Sequence, residues 1–301
     1  MSVIALILAF VLENGLTAVL HLREPRWLDR YCDWAERRLG GRSGGWLVLV
    51  AALLVLLPVI PVAGVYTLLG SHLLGLLQLA FAVLVLLVSF GPRDLHDEVE
   101  DYLEALARGD RVEAARCAKE LLETDAAGRG AGLREAVEEA IFVQANNRIF
   151  GVVFWFIALG PAGAWMFRVS DLMRRRAAFE AARRGAPVTP GSLGAALAII
   201  HGLLAWIPAR LAAGTYALAG SFEDAVDNWR AAVDRVGEGI LDRSEDLLAR
   251  VGKGALQSSL VAVAQDALDS AAAAGAWRIV SRAIWIWLAA VALLVLLGQA
   301  V

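Results

Sequence analysis

Apolar residues gather in six long stretches along the chain, separated by polar segments. These stretches are 3–22, 46–69, 73–90, 149–167, 193–218 and 283–301. A helix needs about 20 predominantly apolar residues to cross the hydrocarbon core of a bilayer. Each stretch is of that order, so the pattern predicts an all-α, polytopic membrane helix bundle.

Basic residues predict which loops face the cytoplasm, because cytoplasmic loops carry an excess of Lys and Arg. Arginines are dense in 22–45 and again in 170–192. If all six stretches crossed the membrane, these two segments would lie on opposite sides. Gly160-Pro161 and Pro208 each interrupt a stretch, and proline disrupts helices. We therefore expect four spanning helices, two broken or re-entrant helices at 149–167 and 193–218, and a cytoplasmic helical region.

The polar blocks predict helices outside the membrane. Apolar positions from Leu95 to Leu106 repeat with helical spacing, and Gly109-Asp110 ends that pattern. Further helices are predicted at 112–122, 133–145 and 255–274, and Ser221 is a plausible cap for another. The predicted regions are 1–90 (membrane helices 1–3), 91–148 (cytoplasmic helical hairpin), 149–218 (broken membrane helices carrying a pocket), 219–282 (cytoplasmic helices) and 283–301 (C-terminal membrane helix).

Composition supports a membrane protein, and neither a nucleic-acid-binding protein nor a metal site is expected from the sequence. Hydrophobic residues make up 58% of the chain, and its mean hydropathy is +0.60. The net charge of −3 comes without a dense Lys/Arg tract, so no nucleic-acid partner is expected. Cys32 and Cys117 are far apart and are expected to be reduced thiols. No His, Cys or carboxylate spacing typical of a metal site occurs, so no metal is predicted.

A polar cluster stands at the start of the fourth apolar stretch, and other polar residues lie inside apolar stretches. Amides and an arginine here indicate either a cap at the membrane interface or a pocket for an anionic or amide-rich ligand. The candidate ligand-binding residues are Glu13, Asn14, Gln144, Asn146, Asn147, Arg148, Arg168, Trp206 and Arg210. We expect Glu13 to pair with Arg168 or Arg210, because intramembrane acids are rare and usually paired or functional.

Two other features favour structural interpretations. His201 lies in the middle of an apolar stretch and is expected to be a core histidine rather than a catalytic base. Gly252-Lys253-Gly254 lacks the remaining residues of a phosphate-binding loop, so nucleotide binding there is not predicted. No catalytic residue is identified, and no cofactor follows from these motifs.

Several motifs resemble the AmpE family of inner-membrane proteins. They include WIPARLAAGTYALAG at 206–220, Asp227-Asn228-Trp229, QANNRIFGVVFWF at 144–156 and GPAGAWMFR at 160–168. The early residues Glu13, 27–29 and 36–38 agree with the same pattern. The resemblance implies a regulatory protein in the signalling that links cell-wall recycling to β-lactamase induction.

The chain is also similar to the membrane proteins CobD and CbiB of cobalamin synthesis, which form an amide on the corrin ring. The shared residues lie at 109–110, 113–116, Ala145, Asn147, Gly151, 163–164, 167–168 and 206–211. Those synthases carry acidic residues where this chain has Asn146 and Phe150, and an Asn-Thr-Leu-Asp-like stretch where it has 171–174. Amide synthesis usually needs carboxylates to hold a metal or move protons.

These departures make an AmpE-like regulatory or sensory protein the main prediction, with a cytoplasm-facing pocket for an anionic small molecule. An amide-forming transferase or synthase similar to CobD/CbiB is the alternative, and a transporter is a third and weaker one. We expect a multi-pass protein of the bacterial inner membrane whose partners are the lipid bilayer and an anionic ligand. A homo-oligomer stays open, as do the ligand's identity and the cofactors.

Overall fold

The computed structural model describes residues 26–39, 41–70, 75–90, 95–122, 131–185, 188–233, 240–260 and 268–297. Every regular element in these ranges is helical, which confirms the all-α prediction. The helices are α1 (Arg26–Leu39), α2 (Trp46–Leu56), α3 (Val59–Leu68), α4 (Gly75–Phe90), α5 (Leu95–Ala107), α6 (Arg111–Leu122), α7 (Ala131–Ala145), α8 (Gly151–Arg183), α9 (Leu193–Ala219), α10 (Phe222–Val233), α11 (Ile240–Leu260) and α12 (Leu268–Leu296). A π-helical turn, Asn146–Phe150, joins α7 to α8.

Within the described residues, five helical segments are long and apolar enough to cross a membrane. They are Trp46–Leu68, Gly75–Ala107, Gly132–Arg183, Leu193–Ala219 and Leu268–Leu294. Large apolar side chains on α2 and α3, such as Leu49 and Leu68, are exposed, as expected of a surface that faces lipid. The chain is a multi-pass membrane protein. The first apolar stretch, 3–22, lies outside the described residues.

The chain folds as two compact units. The first comprises Met1–Pro92, Gly151–Ala205 and Leu294–Val301, and the second comprises Arg93–Phe150 and Trp206–Leu293. In the first unit, Leu28 and Ala35 of α1 pack in one core with side chains of α2, α8 and α9. In the second unit, Tyr102, Phe142 and Tyr216 are among the largest fully buried side chains. Each unit therefore has its own buried core.

The polar block after Phe90 folds as its periodicity predicts. Leu95 and Val99 are buried, and α5 ends just before Gly109, which adopts a φ of 71°. Asp110 then caps α6, since its Oδ1 accepts hydrogen bonds from the backbone N–H groups of Val112 and Glu113 at 3.1 and 3.0 Å. The structure thus has helices α5 and α6 where the periodicity predicts them, and α7 begins within two residues of its predicted start.

The two predicted helix breaks have different outcomes. Gly160 leaves the helical conformation, with φ 69° and ψ −158°, and kinks α8 immediately before Pro161. The helix α9, in contrast, continues through Pro208, so the predicted break there is wrong. Proline cannot donate to the carbonyl four residues earlier, which is that of Leu204. The indole Nε1 of Trp155 donates to this carbonyl at 3.0 Å and replaces the lost hydrogen bond.

Two predicted boundaries also need correction. The arginine-rich start of 170–192, expected as a loop, is helical as far as Arg183, because its polar residues continue the α8 pattern. α11 runs from Ile240 to Leu260 and α12 begins at Leu268, so the middle of the helix predicted at 255–274 lies outside the described residues. α12 joins the Ala-rich segment directly to the last apolar stretch, because alanine favours uninterrupted helix.

Candidate functional site

The amide cluster lies in the π-helical turn Asn146–Phe150 of the second unit. π-helical turns are rare and often occur at functional sites, because the extra residue disrupts the regular hydrogen-bond ladder. Gln144, Asn146, Asn147 and Arg148 are all buried. Because these four side chains are buried, they do not form a cap at the membrane interface that is exposed to headgroups and water. The cluster is an internal polar feature of the second unit.

Two amides of the turn contact each other and leave part of their hydrogen-bonding capacity unused. Asn146 Nδ2 donates to Asn147 Oδ1 at 3.3 Å. Asn146 Oδ1 and Asn147 Nδ2 are buried and have no hydrogen-bond partner in the described structure. An unsatisfied buried polar group costs about 1–3 kcal/mol, so such groups usually mark a bound water, an ion or a ligand site.

Arg148 pairs with Glu98 of α5, fifty residues earlier. Arg148 Nη1 lies 2.9 Å from Glu98 Oε1, and each side chain is only 8% exposed. The other carboxylate oxygen, Glu98 Oε2, is buried without a hydrogen-bond partner. Breaking a buried pair of this kind leaves an uncompensated charge and costs about 3–5 kcal/mol. The pair therefore fixes the turn against α5 and brings a carboxylate to the amide cluster.

Aromatic side chains pack together at the π-helical turn. The Tyr216 hydroxyl donates to the carbonyl of Phe142 at 2.9 Å, one turn before Asn146. Phe150, at the end of the turn, packs against the rings of Tyr216 and Trp287 at centroid distances of 5.8 and 5.2 Å. Trp287 Nε1 in turn donates to Thr215 Oγ1 at 3.3 Å. This packing holds the polar turn in a rigid apolar setting.

A second buried polar set surrounds Asp171 in the first unit. Asp171 is completely buried, and three arginines of the same helix contact it. The shortest nitrogen-to-oxygen distances are 3.4 Å for Arg168, 2.8 Å for Arg174 and 2.7 Å for Arg175. These residues lie three before, three after and four after Asp171, which places them on one helical face. Asp171 is a shared counter-ion for this cluster.

His201 approaches the same carboxylate from α9. Its Nδ1 lies 3.0 Å from Ser170 Oγ, and Ser170 Oγ donates to the Phe167 carbonyl at 2.7 Å. His201 Nε2 has no hydrogen-bond partner and lies 3.7 Å from Asp171 Oδ1. His201 is a buried core histidine as predicted, but only one of its ring nitrogens is satisfied.

The other described candidate residues are Trp206, Arg210 and Arg168. The Arg210 guanidinium stacks 4.0 Å from the ring of Trp206 and donates to the Trp206 carbonyl at 3.0 Å. Trp206 is 47% exposed. Arg168 contacts Asp171 in the first unit. Glu13 and Asn14, and the predicted pairing of Glu13 with an arginine, lie outside the described residues.

The glycine pair around Lys253 serves packing within α11. A Cβ on Gly252 would lie 2.4 Å from the Phe142 ring, and one on Gly254 would lie 2.6 Å from the Asp224 carbonyl. Lys253 Nζ lies 3.1 Å from Glu139 Oε1. Both glycines allow helices to approach closely.

Both cysteines are free thiols. Burial, with the nearby Asp29 carboxylate, raises the pKa of Cys32 to about 12, and burial raises the pKa of Cys117. A high thiol pKa disfavours the reactive thiolate. Within the described residues, no group of three His, Cys, Asp or Glu side chains is arranged to hold a metal ion.

Sequence reasoning missed Glu98 and Asp171. Glu98 had a signal, since it lies three residues after Leu95 and four before Tyr102 on the buried face of α5, but this spacing does not identify its partner. Asp171 also had a signal, since arginines at the helical spacings of three and four surround it in the sequence. That signal was hidden because 170–192 was interpreted as a loop.

Comparisons with known proteins point to one family. The CobD/Cbib protein family matches residues 4–239. The chain is 31% identical over 205 residues to the cobalamin biosynthesis protein CobD of Stutzerimonas stutzeri (strain A1501), covering 67% of this chain and 64% of that protein. It is 29% identical over 163 residues to the protein of the same name from Chromobacterium violaceum, covering 52% and 48%. The chain thus spans less than two thirds of either relative. No solved structure matches it.

Proposed function

Because the chain belongs to the CobD/CbiB family, we propose that it is a membrane-bound, amide-forming synthase of cobalamin biosynthesis. The comparisons support this alternative better than the AmpE-like regulator that the sequence motifs favoured. The relatives are named as cobalamin biosynthesis proteins. The similarity noted from the motifs implies that such proteins join an amine to a carboxyl group of a corrin.

The observation that carries the proposal is the buried polar turn at Asn146–Phe150. Ala145, Asn147 and Gly151, which the chain shares with the CobD/CbiB pattern, lie in or beside this turn and are buried. The turn combines unsatisfied amide groups with a buried Arg148–Glu98 pair. Buried polar groups with unused hydrogen-bonding capacity lower stability, so their presence here supports a binding site whose polar substrate would satisfy them.

Glu98 answers one objection from the sequence. The synthases carry acids where this chain has Asn146 and Phe150, and amide formation usually needs a carboxylate to take up or hold a proton. Glu98 brings a carboxylate to Arg148, the residue directly after Asn147, with one oxygen unsatisfied. We propose that Gln144, Asn146, Asn147 and Arg148 form the substrate-binding set and that Glu98 supplies its negative charge.

The test is complementation of a bacterium from which the CobD-type gene has been deleted. Expression of this chain should restore cobalamin-dependent growth, and mass spectrometry should detect the amide product in membrane extracts. Asn147→Ala and Arg148→Ala should abolish the product. Arg230→Ala is the matched control, because Arg230 is exposed and pairs only at the surface with Asp227. Full expression of the wild type without growth or product would overturn the synthase proposal.

The second candidate function is that of an AmpE-like regulator, and the arginine contacts of Asp171 favour it. This carboxylate stands where the synthases carry their Asn-Thr-Leu-Asp-like stretch, and three arginines already contact it. Such a carboxylate is a poor metal or proton carrier. If the regulator is correct, deleting the gene in its native host should change β-lactamase induction, measured by nitrocefin hydrolysis, while corrinoid amide formation is unaffected.

We further propose that the protein lies in the bacterial inner membrane with 170–192 on the cytoplasmic side. The density of arginine in this segment supports that orientation. The test replaces Ala186 with cysteine in a chain whose Cys32 and Cys117 are changed to serine. A membrane-impermeant maleimide should label inverted membrane vesicles but not intact spheroplasts. Labelling of spheroplasts alone would reverse the orientation.

A further inference from the structure

Three buried polar atoms near the π-helical turn lack hydrogen-bond partners in the described structure. They are Glu98 Oε2, Asn146 Oδ1 and Asn147 Nδ2. Glu98, Asn146 and Asn147 are 7%, 1% and 2% exposed. The first two atoms accept hydrogen bonds, and the third donates them. Two of these atoms belong to the turn, and the third belongs to the carboxylate that pairs with Arg148 of the same turn. Unused buried groups of this kind mark a site for a bound group.

The unused atoms define what that group should offer. Two acceptors and one donor complement a group with two hydrogen-bond donors and one acceptor. A primary carboxamide has this composition, since its NH₂ carries two donors and its carbonyl oxygen accepts. We propose that this turn is a binding site for a primary carboxamide group of the substrate. The inference rests on the proposed function because it places part of the substrate in the same site.

The surroundings favour a neutral amide over a charged ligand. Arg148 already neutralises much of the Glu98 charge at 2.9 Å, and aromatic side chains pack against the end of the turn. Burying a further net charge in such an apolar setting would cost more than burying a neutral amide that makes all its hydrogen bonds. An ordered water molecule could also satisfy these atoms, and the experiment below separates the two occupants.

The experiment measures binding of propionamide to the full chain in lipid nanodiscs by saturation-transfer NMR. N,N-dimethylpropionamide is the matched ligand control, because it keeps the carbonyl but has no N–H donor. Wild type should bind propionamide at millimolar concentration and show no saturable binding of the dimethyl compound. Equal binding of the two compounds, or no binding of propionamide, would overturn the proposal and leave water as the occupant.

Two isosteric variants test the residues. Asn147→Asp replaces the unused donor with an acceptor and keeps the Glu98–Arg148 pair, whereas Glu98→Gln places an NH₂ where the unused acceptor was. Each should weaken propionamide binding at least tenfold. Glu104→Gln is the control on the same helix, since Glu104 is 61% exposed and pairs only with Arg108. Unchanged binding in folded Asn147→Asp would contradict the proposal even if Glu98→Gln failed to fold.

The binding assay and the complementation assay can fail independently. If propionamide binds with the expected dependence on Glu98 and Asn147 but no amide product forms, the site stands and the proposed synthase falls. If product forms with wild-type KM and kcat in both variants, the synthase stands and the carboxamide site falls.

Discussion

Removing the charge of Asp171 should destabilise the first unit more than any comparable change at the surface. Asp171 is completely buried and contacts Arg168, Arg174 and Arg175, while His201 Nε2 lies 3.7 Å away. Asp171→Asn keeps the shape of the side chain. It removes the negative charge and replaces one acceptor oxygen with an NH₂ that faces a guanidinium. The arginines then remain close together without this counter-ion.

The expected magnitude follows from the cost of breaking a buried ion pair, about 3–5 kcal/mol when one partner is removed. At about 2 °C per kcal/mol for a protein of this size, the apparent Tm should fall by about 6–10 °C. The assay is thermal unfolding of the detergent-solubilised full chain, followed by tryptophan fluorescence and circular dichroism at fixed scan rate. Asp227→Asn is the matched control, because Asp227 is 69% exposed and its pair with Arg230 lies at the surface. The control should leave Tm unchanged.

One result would refute this reasoning. If Asp171→Asn and Asp227→Asn unfold at the same temperature, Asp171 contributes no more than a surface carboxylate, and the arginine cluster must be neutralised by other groups. A fall in Tm that Asp171→Glu does not partly restore would instead point to packing rather than charge as the cause.

Three further predictions test individual contacts. Trp155→Phe removes the donor to the Leu204 carbonyl and should cost about 1–3 kcal/mol of unfolding free energy. In a Pro208→Ala background this cost should shrink, because alanine at position 208 would supply its own backbone N–H. An equal cost in both backgrounds would disprove the idea that the Trp155 indole replaces the hydrogen bond that Pro208 cannot make. Gly252→Ala, whose Cβ would lie 2.4 Å from the Phe142 ring, should lower the free energy of unfolding by about 1–3 kcal/mol through overpacking. Gly214→Ala, with open space around it, should leave that free energy unchanged or raise it slightly, and chemical denaturation measures both variants. Cys32, with a raised pKa of about 12, should be alkylated by iodoacetamide far more slowly at pH 8 than glutathione is, and its alkylation rate should still rise up to pH 10. The rate is measured by mass spectrometry of the labelled peptide. A rate that reaches a plateau below pH 9 would contradict the raised pKa.

Helices were predictable wherever local signals agreed with one another. In α5 and α6 the apolar period, the Gly109 turn and the Asp110 cap all indicate the same boundaries, and the structure follows them. Gly160 was predictable as a break for the same reason, since glycine tolerates its positive φ and Pro161 follows it. Pro208 was not, because the group that compensates for it, the Trp155 indole, comes from a distant part of the chain.

The candidate site shows the same limit. The amides at 146–147 stand out in the sequence because polar side chains at the mouth of an apolar stretch are unusual, and the structure places them in a buried π-helical turn. The pairing of Glu98 with Arg148 could not be identified, because fifty residues separate the two in the sequence. This matters for function: judged by the sequence alone, the turn lacks a carboxylate and argues against amide synthesis, whereas tertiary packing supplies one. Arg148 thus shows how a carboxylate that is absent from the sequence around a turn can be brought to that turn by a distant helix.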